Sequence, residues 1–210
     1  MPVLCTAAGE LPHLMRHLAR LQHSAQVLGF ALDPDAAGRR LEAAAREPGQ
    51  GGARRLRLAL AHDGRLTITQ APLAPLPAGE VGLCLSTQRL LDADPLRAHK
   101  TTHRAAYDAG VREAERQGAF DSLFFSEGGW LVEGGRTSVF LKLDGRWVTP
   151  PLADGALPGV MRAVLLDDAA LGAAERRLGR DELMRAEAIM VCNALRGALP
   201  ARLLPPEGAR

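Results

Sequence analysis

From Pro12 to Leu28 the apolar residues Leu14, Leu18, Leu21, Ala25 and Leu28 recur at three- and four-residue intervals. That spacing predicts a helix with one buried stripe, and Gly29 is a natural stop. The other face carries His13, Arg16, Arg20 and His23. Ahead of it, Met1 to Ala7 reads as a short strand that turns at Gly9. Asp33-Pro34 has the form of an N-cap followed by proline in the first turn, so a second helix runs to Arg46; EPGQGG then breaks it. Beyond the break the period changes from 3.6 to two. Leu56, Leu58 and Leu60 alternate with Arg55, Arg57 and Ala59. A second alternating run, Leu66 to Thr69, follows Asp63-Gly64, which predicts a hairpin with a tight turn. APLAPLPAGE reads as a loop and VGLCLS as a buried strand.

The segment Leu90 to Ala98 is polar, contains Asp94-Pro95 and reads as a linker, so the expected units are 1–92 and 99–210. The second opens with a helix from Thr102 to Arg116, then the hairpin SLFFSEGGWLVE around Gly128-Gly129. A strand pair in TSVFLKLDGRWVTPP turns at Asp144-Gly145, and Pro158 starts a helix, PGVMRAVLL. A strand at Glu175 to Leu178, a helix at Asp181 to Arg185 and the strand EAIMVCNAL complete the core. The tail from Pro200 is proline-rich and expected to be loose. Hairpin strands with interspersed helices predict an α+β fold, mostly antiparallel.

Composition narrows the function without naming it. A chain of 210 residues can bury a sizeable core, and 47% hydrophobic with 24% charged residues is ordinary for a globule. A net charge of +2 with scattered arginines gives no support to a nucleic-acid or membrane partner. Cys5, Cys84 and Cys192 lack metal-ligand spacing and read as buried thiols of a reducing compartment. The N-terminus has no basic region followed by an apolar run, and no apolar run is long enough to span a bilayer. The expected location is cytoplasmic.

One compositional detail points to chemistry. Of 26 basic residues only two, Lys100 and Lys142, are lysines. An arginine stays protonated at any usable pH, whereas a lysine amine can form a Schiff base once burial or neighbours lower its pKa. Lys142 sits in the alternating run VFLKLDGRW, where an outward lysine is ordinary. Lys100 lies in LRAHKTTHR, among polar residues just before a predicted helix.

Three other stretches carry candidate chemistry. Glu133, in LVEGGRTSVF, ends a strand before two glycines; taken alone it reads as a turn cap. In LPGVMR, Leu157 to Arg162, proline and glycine at a helix start leave the amides of Val160 and Met161 unpaired and aimed outward. That is either a natural phosphate site or plain helix initiation. In VCNALRG a polar Asn193 interrupts an apolar strand, where on its own it satisfies backbone groups at the strand end. There is no Walker loop, no G-x-G-x-x-G after a strand, no H-E-x-x-H and no G-x-S-x-G.

In order along the chain, these stretches resemble the fold-type IV pyridoxal-phosphate enzymes, a group holding branched-chain and D-amino acid aminotransferases and 4-amino-4-deoxychorismate lyases. The resemblance runs from about His13 to Pro200. HLARLQHSAQVLGF is similar to the family's phosphate-arginine helix, HKTTHRAAYDAG to its Schiff-base lysine segment and VEGGRTSVF to its pyridine-nitrogen glutamate. GRWVTPPLADGALPGVMR is similar to its phosphate turn. The resemblance implies a small N-terminal α/β domain and a larger C-terminal barrel-like domain, the cofactor between them, and a homodimer. It also implies roles. Lys100 would bind pyridoxal phosphate and shuttle the proton on the substrate carbon, and Glu133 would keep the pyridine nitrogen protonated. Arg20 would grip the phosphate, completed by the amides of Val160 and Met161, with Asn193 where relatives often have a hydroxyl. Arg104 lies where aminotransferases tend to have a tyrosine near the ring oxygen and some lyases an arginine.

Within the family, HKTTHR, TPPLADGALPGVMR and CNALRG resemble the lyases more than the aminotransferases. Branched-chain enzymes resemble K-S-G-G-N-Y and S-G-T-A-A-E at these places, which this chain does not match. A lyase would convert 4-amino-4-deoxychorismate to 4-aminobenzoate and pyruvate for folate synthesis. Arg89 and Arg196 are candidates for the substrate's carboxylates, against a plainer reading as solvated charges. The alternatives are a class IV aminotransferase acting on branched-chain or D-amino acids, and a truncated relative that binds without catalysis. The last rests on one departure. Family members usually carry a leading G-D-G-V-F-E-T-like segment, and here Met1-Pro2-Val3 falls where F-E-T would lie, leaving out a threonine that resembles a catalytic one in lyases. A shortened form that still works, a misassigned start, and cofactor binding with weak turnover all stay open at this point.

Overall fold

A computed structural model describes residues 1–47, 51–76, 78–92 and 94–205, and the chain divides into two compact units, Met1–Leu76 and Pro77–Arg210. In the first, strands β1 (Pro2–Cys5), β2 (Arg54–Leu60) and β3 (Leu66–Pro72) form an antiparallel sheet in that order. Helices α1 (Leu14–Leu28) and α2 (Pro34–Arg46) connect β1 to β2. The alternation in β2 is realised: Leu56 and Leu58 are fully buried while Arg55 and Arg57 face out. They meet Leu18, Ala37 and Leu41 from the helices in one core. Both helix signals act as expected. The Asp33 carboxylate accepts the Ala36 amide at 2.9 Å, and Gly29 takes a left-handed conformation and donates its N–H to Ala25. Helix α1 begins two residues later than its apolar pattern suggests, because His13 is itself left-handed. His17 is buried in this core, and burial, helped by the neighbouring Arg20 charge, holds it neutral with a pKa of about 3.

The second unit is built on an eight-stranded sheet that curls into a half-barrel. Its strands are β4 (Val81–Leu90), β5 (Asp121–Ser126), β6 (Leu131–Gly134), β7 (Ser138–Leu143), β8 (Arg146–Thr149), β9 (Ala174–Glu175), β10 (Ala188–Asn193) and β11 (Gly197–Leu203). Their order is β6-β5-β4-β11-β10-β7-β8-β9. Helices α3 (Ala105–Arg116), α4 (Val160–Asp167) and α5 (Arg180–Met184) complete the unit, with 3₁₀ turns at Pro95–Ala98 and Leu152–Asp154. The hairpins β5–β6, β7–β8 and β10–β11 are antiparallel, so the antiparallel expectation holds for most pairs. At the centre, however, β4 runs parallel to both β5 and β11, and β8 runs parallel to β9. Leu83, Leu123, Leu131, Val139, Leu141 and Val191 form the core beneath.

Three expectations change. The unit boundary falls before β4 rather than in the polar segment after it, because β4 finds its partners in β5 and β11 of the second unit. The tail is paired where it begins: Ala201–Leu203 pair with Val81–Leu83, and Ala201 is buried. Proline density signals a loop, but Pro200 precedes the stretch that pairs with β4. The strand expected at Glu175–Leu178 shortens to Ala174–Glu175, with Leu178 buried in the core below. Of the expected break, loop, linker and tail, residues 48–50, 77, 93 and 206–210 lie outside the described residues.

Candidate active site

Lys100 is placed by a short rigid lead. The Asp94 carboxylate accepts the Leu96 amide at 2.9 Å and Pro95 fixes the first position, so Pro95–Ala98 winds into a 3₁₀ turn. Lys100 follows directly and is half-buried before α3 begins. Helix α3 starts at Ala105, three residues later than the sequence suggests, with Arg104 at its N-cap.

Glu133 lies on β6, all four of whose residues are buried. One carboxylate oxygen accepts the Tyr107 hydroxyl at 2.7 Å, and the other accepts the Leu157 amide at 3.2 Å. Burial pushes this carboxyl above its ordinary range. The Tyr107 hydrogen bond, the Lys100 charge, the Leu157 amide and the Arg97 charge pull the other way. The Tyr107 hydroxyl is driven up by burial and then by Glu133, so it stays a proton donor. The two glycines after Glu133 have a packing reason. A side chain at Gly134 would collide with Thr137 and Asp121, and one at Gly135 with Val111 of α3.

The other expected residues divide by what they touch. At the start of α4 no side chain caps the helix, and the first amides of a helix, here those of Val160 and Met161, have no partner within it. Arg104 is committed elsewhere: its Nε donates to Asp108 at 2.9 Å and its Nη2 to the Gly135 carbonyl at 2.6 Å. It therefore braces the backbone two residues beyond Glu133. Asn193 does what its plain reading proposes. Its oxygen accepts the Leu195 and Arg196 amides at 3.0 Å each and its nitrogen donates to the Arg136 carbonyl at 3.3 Å, which closes the β10–β11 turn. Arg196 lies in that turn, its guanidinium pulled down by burial. Arg89 is exposed on β4, stacked over Phe125 at 5.5 Å. Arg20 is half-buried on α1 of the first unit.

The structure thus brings Lys100 within electrostatic reach of Glu133 and adds residues the sequence reading missed. Tyr107 is the chain's single tyrosine; it could have been found from its place with Gly110 and Ala114 on the buried stripe of α3. The Leu157 amide and Arg97 gave no signal, because both act through tertiary contacts.

A model of the amino-transferase class IV family matches residues 3–204. The chain belongs to this family. It is a family of pyridoxal-phosphate-dependent enzymes, and the residues present fit that cofactor: an amine at Lys100, a buried acceptor at Glu133 and open amides at α4. A protein of Schizosaccharomyces pombe, provisionally named as an aminodeoxychorismate lyase, is 29% identical over 193 residues, 90% of this chain and 82% of its own. Among solved structures, a provisionally named amino-acid aminotransferase from Mesorhizobium loti is 38% identical, with a TM-score of 0.88 over 97% of this chain and 98% of that one. The 4-amino-4-deoxychorismate lyase of Pseudomonas aeruginosa is 27% identical, with a TM-score of 0.83 over 97% of this chain and 82% of that one. Class IV membership thus covers both the lyase and the aminotransferase expectations. Among the described residues, no helix is long and apolar enough to cross a membrane.

Proposed function

We propose that this chain is a lyase that converts 4-amino-4-deoxychorismate to 4-aminobenzoate and pyruvate. The observation that carries the reading is a buried Glu133 that feels the charge of Lys100, in a chain similar, over nine-tenths of its length, to a protein named for that activity. When bound, pyridoxal phosphate supplies an electron sink conjugated to the substrate nitrogen. Lys100 would hold it and then take the proton from the ring carbon that bears the amino group. The electron pair left behind closes the third double bond of the ring, and the neighbouring C–O bond breaks. Enolpyruvate leaves, and the proton on Lys100 returns to it as pyruvate forms. Glu133 would stay ionised beside the ring nitrogen, held in orientation by Tyr107 and the Leu157 amide. The amides of Val160 and Met161 would take the phosphate. Arg20 and Asn193 are assigned to it by family resemblance, and Arg89 and Arg196 likewise to the substrate's carboxylates. A homodimer in the cytoplasm belongs to the same reading.

An aminotransferase is the second reading, favoured by the 38% identity to the Mesorhizobium loti protein. The two differ in what they consume. The chain, loaded with pyridoxal phosphate, should show a visible absorption band that Lys100→Ala abolishes. It should then release pyruvate from 4-amino-4-deoxychorismate with no keto acid present. Turnover that requires a keto acid would replace the lyase with the aminotransferase. A folded chain without the band would overturn both.

A further inference from the structure

Arg97 is buried, 6% exposed, at the 3₁₀ turn three residues before Lys100. Among the described residues, Nη2 of its guanidinium donates to the Asp92 carbonyl at 3.3 Å, while Nε and Nη1 are buried without a partner. Keeping a full charge in such a place is costly unless an opposite charge answers it. The seat is nonetheless built for it. Gly155 closes over the guanidinium so tightly that a side chain there would collide with it, and Gly155 is left-handed, so glycine is doubly required. Gly155 is itself two residues from Leu157, whose amide rests on Glu133. Two residues span at most about 7 Å, which brings the guanidinium's seat close to the buried carboxylate.

We propose that Arg97 is a positioning residue for Glu133: it supplies a fixed positive charge that favours the ionised form of this carboxylate inside the protein. Lys100 also bears on Glu133, but its amine is the group that would hold the cofactor, whereas a guanidinium keeps its proton at every working pH. The other polar groups facing the carboxylate are Tyr107 from α3, which gives a hydrogen bond and no charge, and the Leu157 amide from the loop. Arg104, also from α3, faces Tyr107 rather than Glu133, 5.5 Å from its ring, with its guanidinium committed to Asp108 and Gly135. The Arg97 charge acts on Glu133 and on Tyr107 in the same sense, favouring the negative form. The role of Glu133 toward the ring nitrogen rests on the reading above; the effect of Arg97 on Glu133 does not.

The test separates the two by working first without cofactor. The full chain, labelled with ¹³C at glutamate carboxyls, is titrated by NMR, with Glu133→Gln to assign the signal. Arg97→Gln keeps a donor for the Asp92 carbonyl and removes the charge, while Arg97→Lys keeps the charge. The Glu133 titration should move up by about 1 pH unit in Arg97→Gln, the size expected for loss of a nearby opposite charge, and return toward wild type in Arg97→Lys. An unchanged titration in folded Arg97→Gln would overturn the proposal and leave Arg97 a packing residue. Should Arg97→Gln fail to fold, Arg97→Met keeps an apolar stem in the buried seat without the charge and should move the titration in the same direction; no movement there overturns the proposal equally. In the loaded protein, the pH response of the visible band should follow the same order of variants. A shifted Glu133 titration with an unshifted band would uphold Arg97 and overturn the assignment of Glu133 to the ring nitrogen.

Discussion

Two buried carboxyls sit on neighbouring strands of the second unit, Asp121 at the start of β5 and Glu133 on β6, and burial pushes both upward. Their surroundings differ. Asp121 is 0% exposed and accepts the Ser122 amide at 2.9 Å, the Arg136 amide at 3.0 Å and the Thr137 hydroxyl at 2.7 Å. Two of those donors, Arg136 and Thr137, come from the turn after Glu133, so Asp121 is the pin that holds that turn closed. Asp121 also has the Arg136 guanidinium 4.0 Å away, whereas Glu133 accepts two bonds instead of three and feels two cations, Lys100 and Arg97. A saturated buried acid is a structural part; one left with open lone pairs and answered by charges at a distance is prepared to meet a ligand.

That contrast breaks if the two residues can be exchanged in effect. Glu133→Gln should reduce turnover by about 100-fold or more, the scale on which a removed electrostatic group in a site is felt, while destabilising the fold by only about 1 kcal/mol, the worth of one impaired hydrogen bond. Steady-state kinetics beside urea denaturation would show it; retained turnover sinks the assignment. Asp121→Ala should behave in reverse. Losing three buried hydrogen bonds should cost about 3 kcal/mol of stability, with the activity of the remaining folded protein within a few-fold of wild type. A stable but inactive Asp121→Ala would mean that the pin, too, belongs to the chemistry.

The asymmetry also explains how much of the molecule could be read in advance. Elements announced by local signals were legible: the stripe of α1, the cap Asp33-Pro34, the alternation in β2 and the Asp144-Gly145 turn, whose two residues both have positive φ. Lys100 and Glu133 stood out through residue type and through the order of their flanking motifs. What escaped depends on contacts distant in sequence. Nothing within Leu90 to Ala98 says that the preceding strand joins β5 and β11, and nothing beside Pro200 says that β4 is waiting. Tyr107 reaches Glu133 across 26 residues and Leu157 across 24. Asn193 is mixed: a local reading describes its bonds to the Leu195 and Arg196 amides, but not the one to the Arg136 carbonyl, 57 residues away.

The smallest expected effect is the pH dependence that Glu133 gives to folding. Its folded-state pKa lies above the ordinary value, so the folded chain holds that proton more tightly than the unfolded chain does. By linkage, its favourable contribution is fully present below the unfolded value and is lost as pH rises through the folded one. The difference in stability between wild type and Glu133→Gln, measured by urea denaturation across a pH series, cancels other titrations and should therefore fall as pH climbs out of the ordinary carboxylate range. Tyr107→Phe sharpens the point. Its hydroxyl favours the ionised carboxylate, so removing it raises Glu133 further and carries the fall to higher pH, with about 1.4 kcal/mol lost for each pH unit gained. The same substitution should leave the corresponding curve for Asp121, taken against Asp121→Asn, where it was, because Tyr107 is not among the donors of that acid. If Tyr107→Phe moved both curves alike, it would be loosening the whole unit, and the separation between a pinned acid and a poised one would fail.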